Sequence, residues 1–303
     1  MEKFPVKEIA KEIQILASLQ HPHVVRYLAM ARQDKIAQIF MEYVSGGSIS
    51  NLLNGAHGFG GLPEKVVREY TRQLLLAVQY IHNNDIVHCD IKCGNILINE
   101  NGMLKLADFG HAMQLGKDGS VSDGAIKGTP LFTAPEVISN EHRYTRAADV
   151  WSLGCTVIEM LTNGSPWKNF LPNWHQMAIL WHIREAAKRQ EIPSIPDTIS
   201  EEGKRFLEKC FIIDPARRAT VDDLLQEEFI MNNDDFQEFD DDEEEEEVDE
   251  DDEGYSSYHS AEDDQIPRHQ PVRALNEVDE DEYEEHEDDE IIEEQALGRV
   301  HFR

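Results

Sequence analysis

Residues 88–95, HCDIKCGN, place an aspartate, a lysine and an asparagine at a spacing that constrains this chain more than any other feature. Phosphoryl transfer needs a carboxylate that orients the attacking hydroxyl and a lysine that meets developing negative charge. Asp90 and Lys92 supply these two groups, and Asn95 offers a carbonyl oxygen to a hard cation such as Mg²⁺. The stretch therefore predicts a phosphoryl-transfer loop, although a helix-capping loop could use the same residue types.

Two further motifs follow this loop in a suitable order. They are the DFG that begins at Asp108 and the APE that ends at Glu136. Asn101-Gly102 lies between two short apolar runs and is a strong hairpin signal, so the chain should return Asp108 beside Asn95 as a second magnesium ligand. Each motif alone is weak evidence, but their joint order and spacing favour a catalytic site over coincidence.

Hydrophobic periodicity predicts a small β region followed by many helices. The pattern indicates a helix over 4–20, two strands within 24–44 joined by a turn at Gln33–Lys35, a short helix from 48 through 53, and a long helix after Pro63. Further helices are predicted from Thr145 onwards and over 174–188, 200–211 and 220–230, and Thr220 with Asp223 resembles a helix cap. A few strands followed by many helices indicate the α+β class.

Charge is concentrated at the end of the chain, whose formal net charge is −32. Residues 233–303 contain 32 of the 60 acidic residues but only four of the 28 Lys and Arg residues. We therefore predict a globular domain at 1–232 and an acidic, disordered tail at 233–303. Such a tail could bind basic proteins, whereas its charge disfavours direct contact with nucleic acid.

The cysteines and the apolar runs indicate a cytoplasmic protein. Cys89 and Cys93 have no second pair of metal-ligand residues near them, which disfavours a zinc site. A reducing compartment is the simpler interpretation of four scattered cysteines. The sequence at the start of the chain has no apolar stretch of the signal-peptide type. No apolar run approaches the ~20 residues that span a membrane.

Residues 8–231 resemble the catalytic domain of eukaryotic protein kinases. The resemblance is carried by KEIQILASLQHPHVVRYL, IFMEYVSGGSI, YIHNNDIVHCDIKCGNILI, LADFG, GTPLFTAPEV, AADVWSLGCTVIEML and DPARRAT. FMEYVSGGSI and DIKCGNIL are most similar to the MAP kinase kinase kinase branch and its Ste20-like relatives, and Lys92 resembles the Ser/Thr-specific pattern. The resemblance implies a protein kinase-like fold, with a partial small lobe of one helix and two strands and a mostly α-helical large lobe.

The same resemblance implies a Ser/Thr protein kinase that uses ATP and Mg²⁺ and acts on proteins, with a downstream MAP kinase kinase as an expected substrate. Its catalytic residues would be Asp90, Lys92 on the γ-phosphate, and Asn95 and Asp108 on magnesium. Its nucleotide pocket would contain Met41 as gatekeeper, Glu42 and Val44 as hinge residues, Ser48 near the ribose and Leu97 on the floor.

Further residues would have structural or regulatory roles. They are Glu12 of the small-lobe helix, Thr129 bonded to Asp90 and Lys92, Glu136 paired with Arg218, Asp149 bracing the catalytic loop, and the possible phosphosites Thr133, Ser120 and Ser122. Simpler interpretations stay open for some of these residues. Glu12 could be a solvated helix residue, Met41 a core residue, and Ser120 and Ser122 ordinary loop serines. His88, Trp151 and Cys155 are interpreted as packed core residues.

Two features depart from the family pattern. A Gly-rich loop and a strand with a nucleotide-binding lysine would precede the small-lobe helix, and counting back from Glu12 passes Met1 before reaching them. Three explanations stay open: a fragment of an active kinase, a catalytically impaired pseudokinase scaffold with an acidic interaction tail, or a second chain that supplies these strands. In addition, Cys89 stands where an arginine usually pairs with a phosphate on the activation loop. Phosphorylation of that loop is therefore expected to contribute less to activation.

Overall fold

The computed structural model describes residues 13–33, 36–55, 60–138, 142–167 and 174–232. The predictions for residues 4–12, including Glu12, and for the tail at 233–303 lie outside these residues. Within them, a small antiparallel sheet is followed by short hairpins and then by helices, which confirms the predicted α+β class.

The small β region begins with residues 13–18, which are helical and are named α1 here. Its buried side chains are Ile13, Ile15 and Leu16. Strands β1 (Tyr27–Gln33) and β2 (Ile36–Met41) then pair in antiparallel register, as predicted. Val25 joins this region to the rest of the domain, because its N–H donates to the Leu106 carbonyl at 2.9 Å.

Two predicted helices come next. Helix α2 (Ile49–Asn54) begins after Ser48, whose hydroxyl accepts the Asn51 N–H and forms a capping box with the Asn51 side chain. Helix α3 (Glu64–Asn83) begins after Pro63, where the missing N–H costs least. Its apolar residues recur every three or four positions, and the face that they form, which includes Leu74, is buried in the core.

Two antiparallel strand pairs follow α3 and lie on either side of the predicted phosphoryl-transfer loop at 88–95, named the catalytic loop here. Strand β3 (Ile86–Val87) pairs with β6 (Met113–Gln114), and β4 (Ile96–Ile98) pairs with β5 (Leu104–Leu106). The β4–β5 turn uses Gly102 at φ +72°, a conformation that glycine adopts without strain. The predicted hairpin is therefore confirmed.

A buried helix lies at the centre of the helical region. After the short pair β7 (Val121–Ser122) and β8 (Arg143–Tyr144), helix α4 (Arg146–Thr162) is buried along most of its length. Gly154 allows close packing there, since a Cβ at this position would lie 2.8 Å from the Cys210 side chain. Trp151 and Cys155 are core residues, as predicted.

Four helices complete the described part of the domain: α5 (Gln176–Lys188), α6 (Glu201–Cys210), α7 (Val221–Leu225) and α8 (Glu228–Met231). The prediction of one helix over 220–230 is wrong, because the α-helical hydrogen bonding is interrupted at Gln226 and Glu227. The N–H groups of these two residues bond to carbonyls three residues earlier, not four. The predicted cap is confirmed, since Thr220 and Asp223 form a capping box.

Several short elements are not visible in the sequence. Strands β3, β6, β7 and β8 have two residues each, which is too few for an alternating pattern to be recognised. Among the described helices, none combines the length and the apolar character needed to cross a bilayer.

Candidate active site

The start of the catalytic loop is held in place by hydrogen bonds to α4. The buried Asp149 carboxylate accepts the backbone N–H groups of His88 at 2.8 Å and Cys89 at 2.9 Å, and it contacts His82 Nε2 at 2.9 Å. Burial alone would raise the pKa of Asp149, but the His82 hydrogen bond and the nearby histidines outweigh it and hold this pKa below its usual value. The contact predicted for Asp149 is present, and His82 is a partner that the sequence did not reveal.

Backbone conformation brings the segment between the DFG and APE motifs, named the activation segment here, close to this loop. Cys89 adopts φ +67°, and Gly128 adopts φ +86° directly above it. A Cβ on Gly128 would lie 2.2 Å from the Cys89 carbonyl oxygen and 3.5 Å from Asp90 Oδ1. Only glycine fits at Gly128, and its presence lets Thr129 reach the catalytic aspartate.

Asp90 is the most fully bonded side chain of the loop and is 3 % exposed. Its Oδ1 accepts the Thr129 N–H at 2.8 Å and the Thr129 hydroxyl at 2.7 Å. Its Oδ2 accepts from Lys92 Nζ at 2.8 Å and Asn95 Nδ2 at 2.9 Å. Burial would raise the pKa of Asp90, but the bonds from Lys92 and Thr129 lower it overall, so this carboxylate is ionised at neutral pH and can accept a hydroxyl proton.

Lys92 and His111 flank this carboxylate. Lys92 Nζ also donates to the Thr129 hydroxyl at 2.7 Å, which completes the predicted triangle of Asp90, Lys92 and Thr129. The Lys92 side chain is partly exposed, so its ammonium group is accessible to a phosphate. His111 Nδ1 lies 3.8 Å from Asp90 Oδ2. The sequence analysis overlooked His111, although its position directly after the DFG motif could have indicated it.

The two predicted magnesium ligands belong to adjoining segments. The Ala107 N–H donates to the Asn95 carbonyl at 2.9 Å, which brings the neighbouring Asp108 beside the catalytic loop. Asn95 Nδ2 is used by Asp90, so the Asn95 amide oxygen is left as an acceptor. Asp108 is exposed at φ +60°. An amide oxygen and a carboxylate fit a Mg²⁺ ion, which prefers one or two protein oxygen ligands together with phosphate oxygens.

These two oxygen ligands suit magnesium that is bound together with a nucleotide, but not a tightly bound structural metal. In the described ranges, no cluster of three or more His, Cys, Asp or Glu side chains could hold a metal by itself. A tightly bound structural metal would need such a cluster, whereas magnesium that arrives with a nucleotide does not.

The predicted nucleotide side is built on β4. The loop after β2 pairs with this strand, since the Gly46 N–H donates to the Ile98 carbonyl at 2.8 Å and the Ile98 N–H donates to the Gly47 carbonyl at 2.9 Å. A β-bridge then places Ser48 opposite Leu97. Two of the predicted pocket residues are therefore neighbours. The Ser48 hydroxyl is occupied by the α2 cap, so its predicted position near the ribose stays a prediction.

The hinge residues are more open. Met41 is 43 % exposed, so its alternative interpretation as a core residue is wrong. The Glu42 carboxylate accepts from the Arg26 N–H at 2.7 Å and Lys105 Nζ at 2.8 Å, which anchors this residue to the start of β1 and to β5. Val44 is half-buried. The gatekeeper and hinge roles of these residues stay predictions.

The predicted pair of Glu136 and Arg218 forms below the activation segment. Two bonds of 2.6 and 2.9 Å join their side chains, and the Arg218 side chain is fully buried. The remaining Arg218 donors bond to backbone carbonyls, including that of Ala147 at 2.7 Å. The guanidinium also lies 5.0 Å from the centre of the Trp151 ring. This pair ties the APE motif to α4.

The three proposed phosphosites differ in exposure. Thr133 is 6 % exposed and its hydroxyl donates to the Thr129 carbonyl at 3.2 Å, so a kinase could modify it only after local rearrangement. Ser120 is half-buried and bonds to Asp118 at 3.0 Å and Arg143 Nε at 3.1 Å. Ser122 is exposed within β7. His88 is buried against Phe109, which agrees with its interpretation as a core residue.

Comparison with known proteins identifies the relatives of this chain. A family model described as "Protein kinase domain" matches residues 1–230. Mitogen-activated protein kinase kinase kinase 2 of Arabidopsis thaliana is 43 % identical over 225 residues, which cover 74 % of this chain and 33 % of that protein. Mitogen-activated protein kinase kinase kinase A of Dictyostelium discoideum is 41 % identical over 225 residues, covering 74 % of this chain and 23 % of its own length. The chain thus spans a third or less of the length of these curated relatives.

Proposed function

This chain belongs to the protein kinase domain family, and we propose that it transfers the γ-phosphoryl group of ATP to serine and threonine hydroxyls of proteins. The observation that carries the proposal is the set of bonds around Asp90, which is held by Thr129, Lys92 and Asn95 while it remains an ionised carboxylate. A chain without phosphoryl-transfer activity would have no chemical need for all four residues in this arrangement.

Each of these residues has a separate task in the proposed reaction. Asp90 accepts a hydrogen bond from the substrate hydroxyl, orients its oxygen toward the γ-phosphorus and takes its proton as the new P–O bond forms and the bond to the ADP oxygen breaks. Lys92 meets the negative charge of the transferring group, and Thr129 keeps Asp90 and Lys92 in register. Asn95 and Asp108 would hold Mg²⁺, which neutralises phosphate charge when it is bound.

The nucleotide pocket is proposed from the residues around β2 and β4. Leu97 would form the floor under the adenine, Met41 the gatekeeper, and the backbone of Glu42 and Val44 the hydrogen-bonding edge. Ser48 would lie at the ribose end. The β-bridge between Ser48 and Leu97 supports this placement because it brings two of these residues together.

The substrate and the setting follow from the relatives and the cysteines. The matched proteins carry the name mitogen-activated protein kinase kinase kinase, so we propose that the substrate is a protein, a MAP kinase kinase. All four cysteines are buried thiols that form no disulfide among the described residues, which supports a reducing, cytoplasmic setting. The acidic residues of 233–303 would bind basic proteins and would not contact nucleic acid directly.

The decisive experiment measures phosphate transfer from labelled ATP by residues 1–303 to a generic basic protein, followed by analysis of the labelled amino acids. Label on serine or threonine is expected. Asp90→Asn is the matched control, and it should reduce the rate at least ~100-fold because the carboxylate is lost while the shape is kept. A folded wild-type chain that transfers no more label than this variant would contradict the proposal for residues 1–303. A longer form of the chain that is active would then indicate a fragment of an active kinase, and one that is also inactive would favour the rival function, a catalytically impaired scaffold.

Regulation of this activity is proposed to depend little on activation-loop phosphate. Cys89 offers no cation for a phosphate, and the segment is held by other bonds. Thr129 binds Asp90, the Tyr144 hydroxyl donates to the Lys127 carbonyl at 3.1 Å, and Arg143 binds Asp118 and Ser120.

Phosphatase treatment of the active protein tests this regulation. At least half of the activity is expected to remain, and Ser120→Ala should behave like the treated wild type. Complete loss of activity after treatment, restored by incubation with ATP, would contradict it.

A further inference from the structure

Helix α4 presents a row of polar side chains to the catalytic loop and the activation segment. Asp149, Ser152, Thr156 and Glu159 recur at three- or four-residue intervals, so they lie on one face of the helix. Ser152 donates to the Phe132 carbonyl at 2.9 Å, and Thr156 donates to the Ile91 carbonyl at 3.3 Å. The last member, Glu159, has no role in the reaction described above.

Glu159 contacts the loop at Cys93. The Cys93 N–H donates to Glu159 Oε2 at 2.9 Å, across 66 residues of sequence. Cys93 begins the 3₁₀ turn Cys93–Asn95, whose first N–H groups have no partner within the turn itself. A carboxylate that accepts such an N–H forms a charge-assisted hydrogen bond, which is stronger than a neutral one.

The turn that Glu159 binds connects two residues of the proposed chemistry. Lys92 immediately precedes it and Asn95 ends it, and the Asn95 N–H donates to the Lys92 carbonyl at 3.0 Å. The Cys93 thiol also meets Glu159 and stays protonated, because burial, the Glu159 charge and a hydrogen bond with the Glu159 side chain raise its pKa. The backbone N–H is the Cys93 group whose bond to Glu159 fixes the backbone of the turn.

We propose that Glu159 is a positioning residue, whose carboxylate fixes the Cys93 N–H and thereby holds Lys92 and Asn95 in register with Asp90. The proposal rests on the proposed kinase function for its effect on rate, although the contact itself does not. Glu159 acts through the turn and does not touch the reacting atoms.

Two substitutions separate the two ends of this bond. Glu159→Ala removes the acceptor, and Glu159→Gln keeps an acceptor oxygen without the charge. Cys93→Pro removes the donor at a position suited to proline, because it is the first residue of the turn and Lys92 before it is extended at φ −165°, ψ 162°. Pro130 already occupies the equivalent first position of the turn Pro130–Phe132.

The rate measurements compare the full chain with these variants. Glu159→Ala should lower kcat about 10-fold and leave KM for the protein substrate within about twofold, whereas Glu159→Gln should keep at least about half of kcat. Cys93→Pro should cause a similar loss, whereas Cys93→Ala, which removes the thiol but keeps the N–H, should keep at least about half of kcat. The double variant of Glu159→Ala and Cys93→Pro should be no slower than either single one. Losses that multiply in the double variant, or a rise in KM alone, would overturn the proposal.

Amide hydrogen exchange supplies a readout that does not require activity. In Glu159→Ala, the Cys93 and Asn95 amides should exchange at least about 10-fold faster, while α4 amides before Thr156 keep their protection. Unchanged exchange at Cys93 would overturn the proposal, and so would uniformly faster exchange, which indicates general destabilisation. If the wild type transfers no phosphate but the exchange change is present, the proposed kinase function fails while the link from Glu159 to the loop stands.

Discussion

The catalytic loop and the hinge differ in how firmly the described residues hold them. Four residues of the catalytic loop bond to α4, namely His88, Cys89, Ile91 and Cys93. The two others between them bond to neighbouring groups, since the Asp90 N–H donates to the His88 ring and Lys92 donates to Asp90 and Thr129. The hinge, taken here as residues 41–44, is more exposed: the exposed fraction is 43 % for Met41 and 90 % for Tyr43. The two sides of the proposed site therefore differ in how strongly hydrogen bonds and burial hold their residues in place.

This difference has a consequence for what each side can tolerate. The catalytic loop is fixed by buried charges and by backbone bonds, and breaking one of these leaves an unpaired polar group away from water. The hinge is fixed mainly by strand pairing and by the partly buried Glu42–Lys105 contact, so its exposed side chains, Met41 and Tyr43, can change with little loss of stability. Substitutions on the two sides should therefore separate stability from nucleotide affinity.

The largest expected effect is that of Asp149→Asn. An amide cannot accept from two backbone N–H groups and His82 together, so the free energy of unfolding should fall by about 3 kcal/mol, and kcat should fall as well. Chemical denaturation and steady-state kinetics measure the two effects. Asp118→Asn is the control, since this exposed carboxylate bonds only on the surface and its loss should change stability far less. Equal losses in both variants would remove the contrast on which the comparison rests.

Gly128 tests the contact between the activation segment and the loop. Gly128→Ala must displace the Cys89 carbonyl, which lies 2.2 Å from the new Cβ, so kcat should fall about 10- to 100-fold. Gly124→Ala is the matched control, because Gly124 also has a positive φ of +70° but no atom within 4 Å of a Cβ. It should cost only the backbone strain of about 1–2 kcal/mol. Similar kcat values in the two variants would show that this close approach does not position Asp90.

The pH dependence of stability provides a smaller effect on the catalytic side. Burial holds the pKa of His88 below its usual value, although Asp149, Asp90 and Asp108 act in the opposite direction. Below pH ~6.5 the unfolded chain therefore binds a proton that the folded chain does not, and the free energy of unfolding falls as pH falls. His88 alone should contribute a slope of up to about 1.4 kcal/mol per pH unit between pH 6.5 and its lowered folded pKa.

Denaturant titrations of the wild type and His88→Gln between pH 7 and pH 5 measure this slope. The variant should show the shallower dependence. His21→Gln is the comparison variant, because burial also lowers the pKa of His21 but this side chain is only partly buried, so its slope should change less. A slope that is the same in the wild type and in His88→Gln would mean that His88 is protonated equally in both states.

The sequence predicted those parts of the molecule whose signals are local. Helices α3 and α4 have several turns of periodic apolar residues, and the cap of α7 needs only Thr220 and Asp223. The break within 220–230 was missed because both halves share one apolar repeat, and only hydrogen bonds at Gln226 and Glu227 reveal it. Periodicity alone therefore defines where apolar faces lie but not where a helix is interrupted.

Local sequence patterns are also insufficient to predict all residues of the candidate site. Asp90, Lys92, Asn95 and Asp108 stand in motifs, so their meeting could be predicted. Glu159 and His82 could not, because each meets the site through a partner more than 60 residues away and no local pattern distinguishes them from ordinary helix residues. Long-range polar contacts of this kind depend on how α3 and α4 pack, which the sequence does not state directly.

The smallest effect on stability is expected on the hinge side, from Met41→Ala. Met41 is 43 % exposed, so this truncation should change the free energy of unfolding by no more than about 0.5 kcal/mol. Met113→Ala is the matched control, because the same truncation at a fully buried site beside the catalytic loop should cost about 2–5 kcal/mol. If Met41 is the gatekeeper, its variant should nevertheless change KM for ATP severalfold, while Met113→Ala should act mainly on stability. An unchanged KM for ATP would contradict the gatekeeper role of Met41, and a large loss of stability would reverse the contrast between the hinge and the catalytic loop.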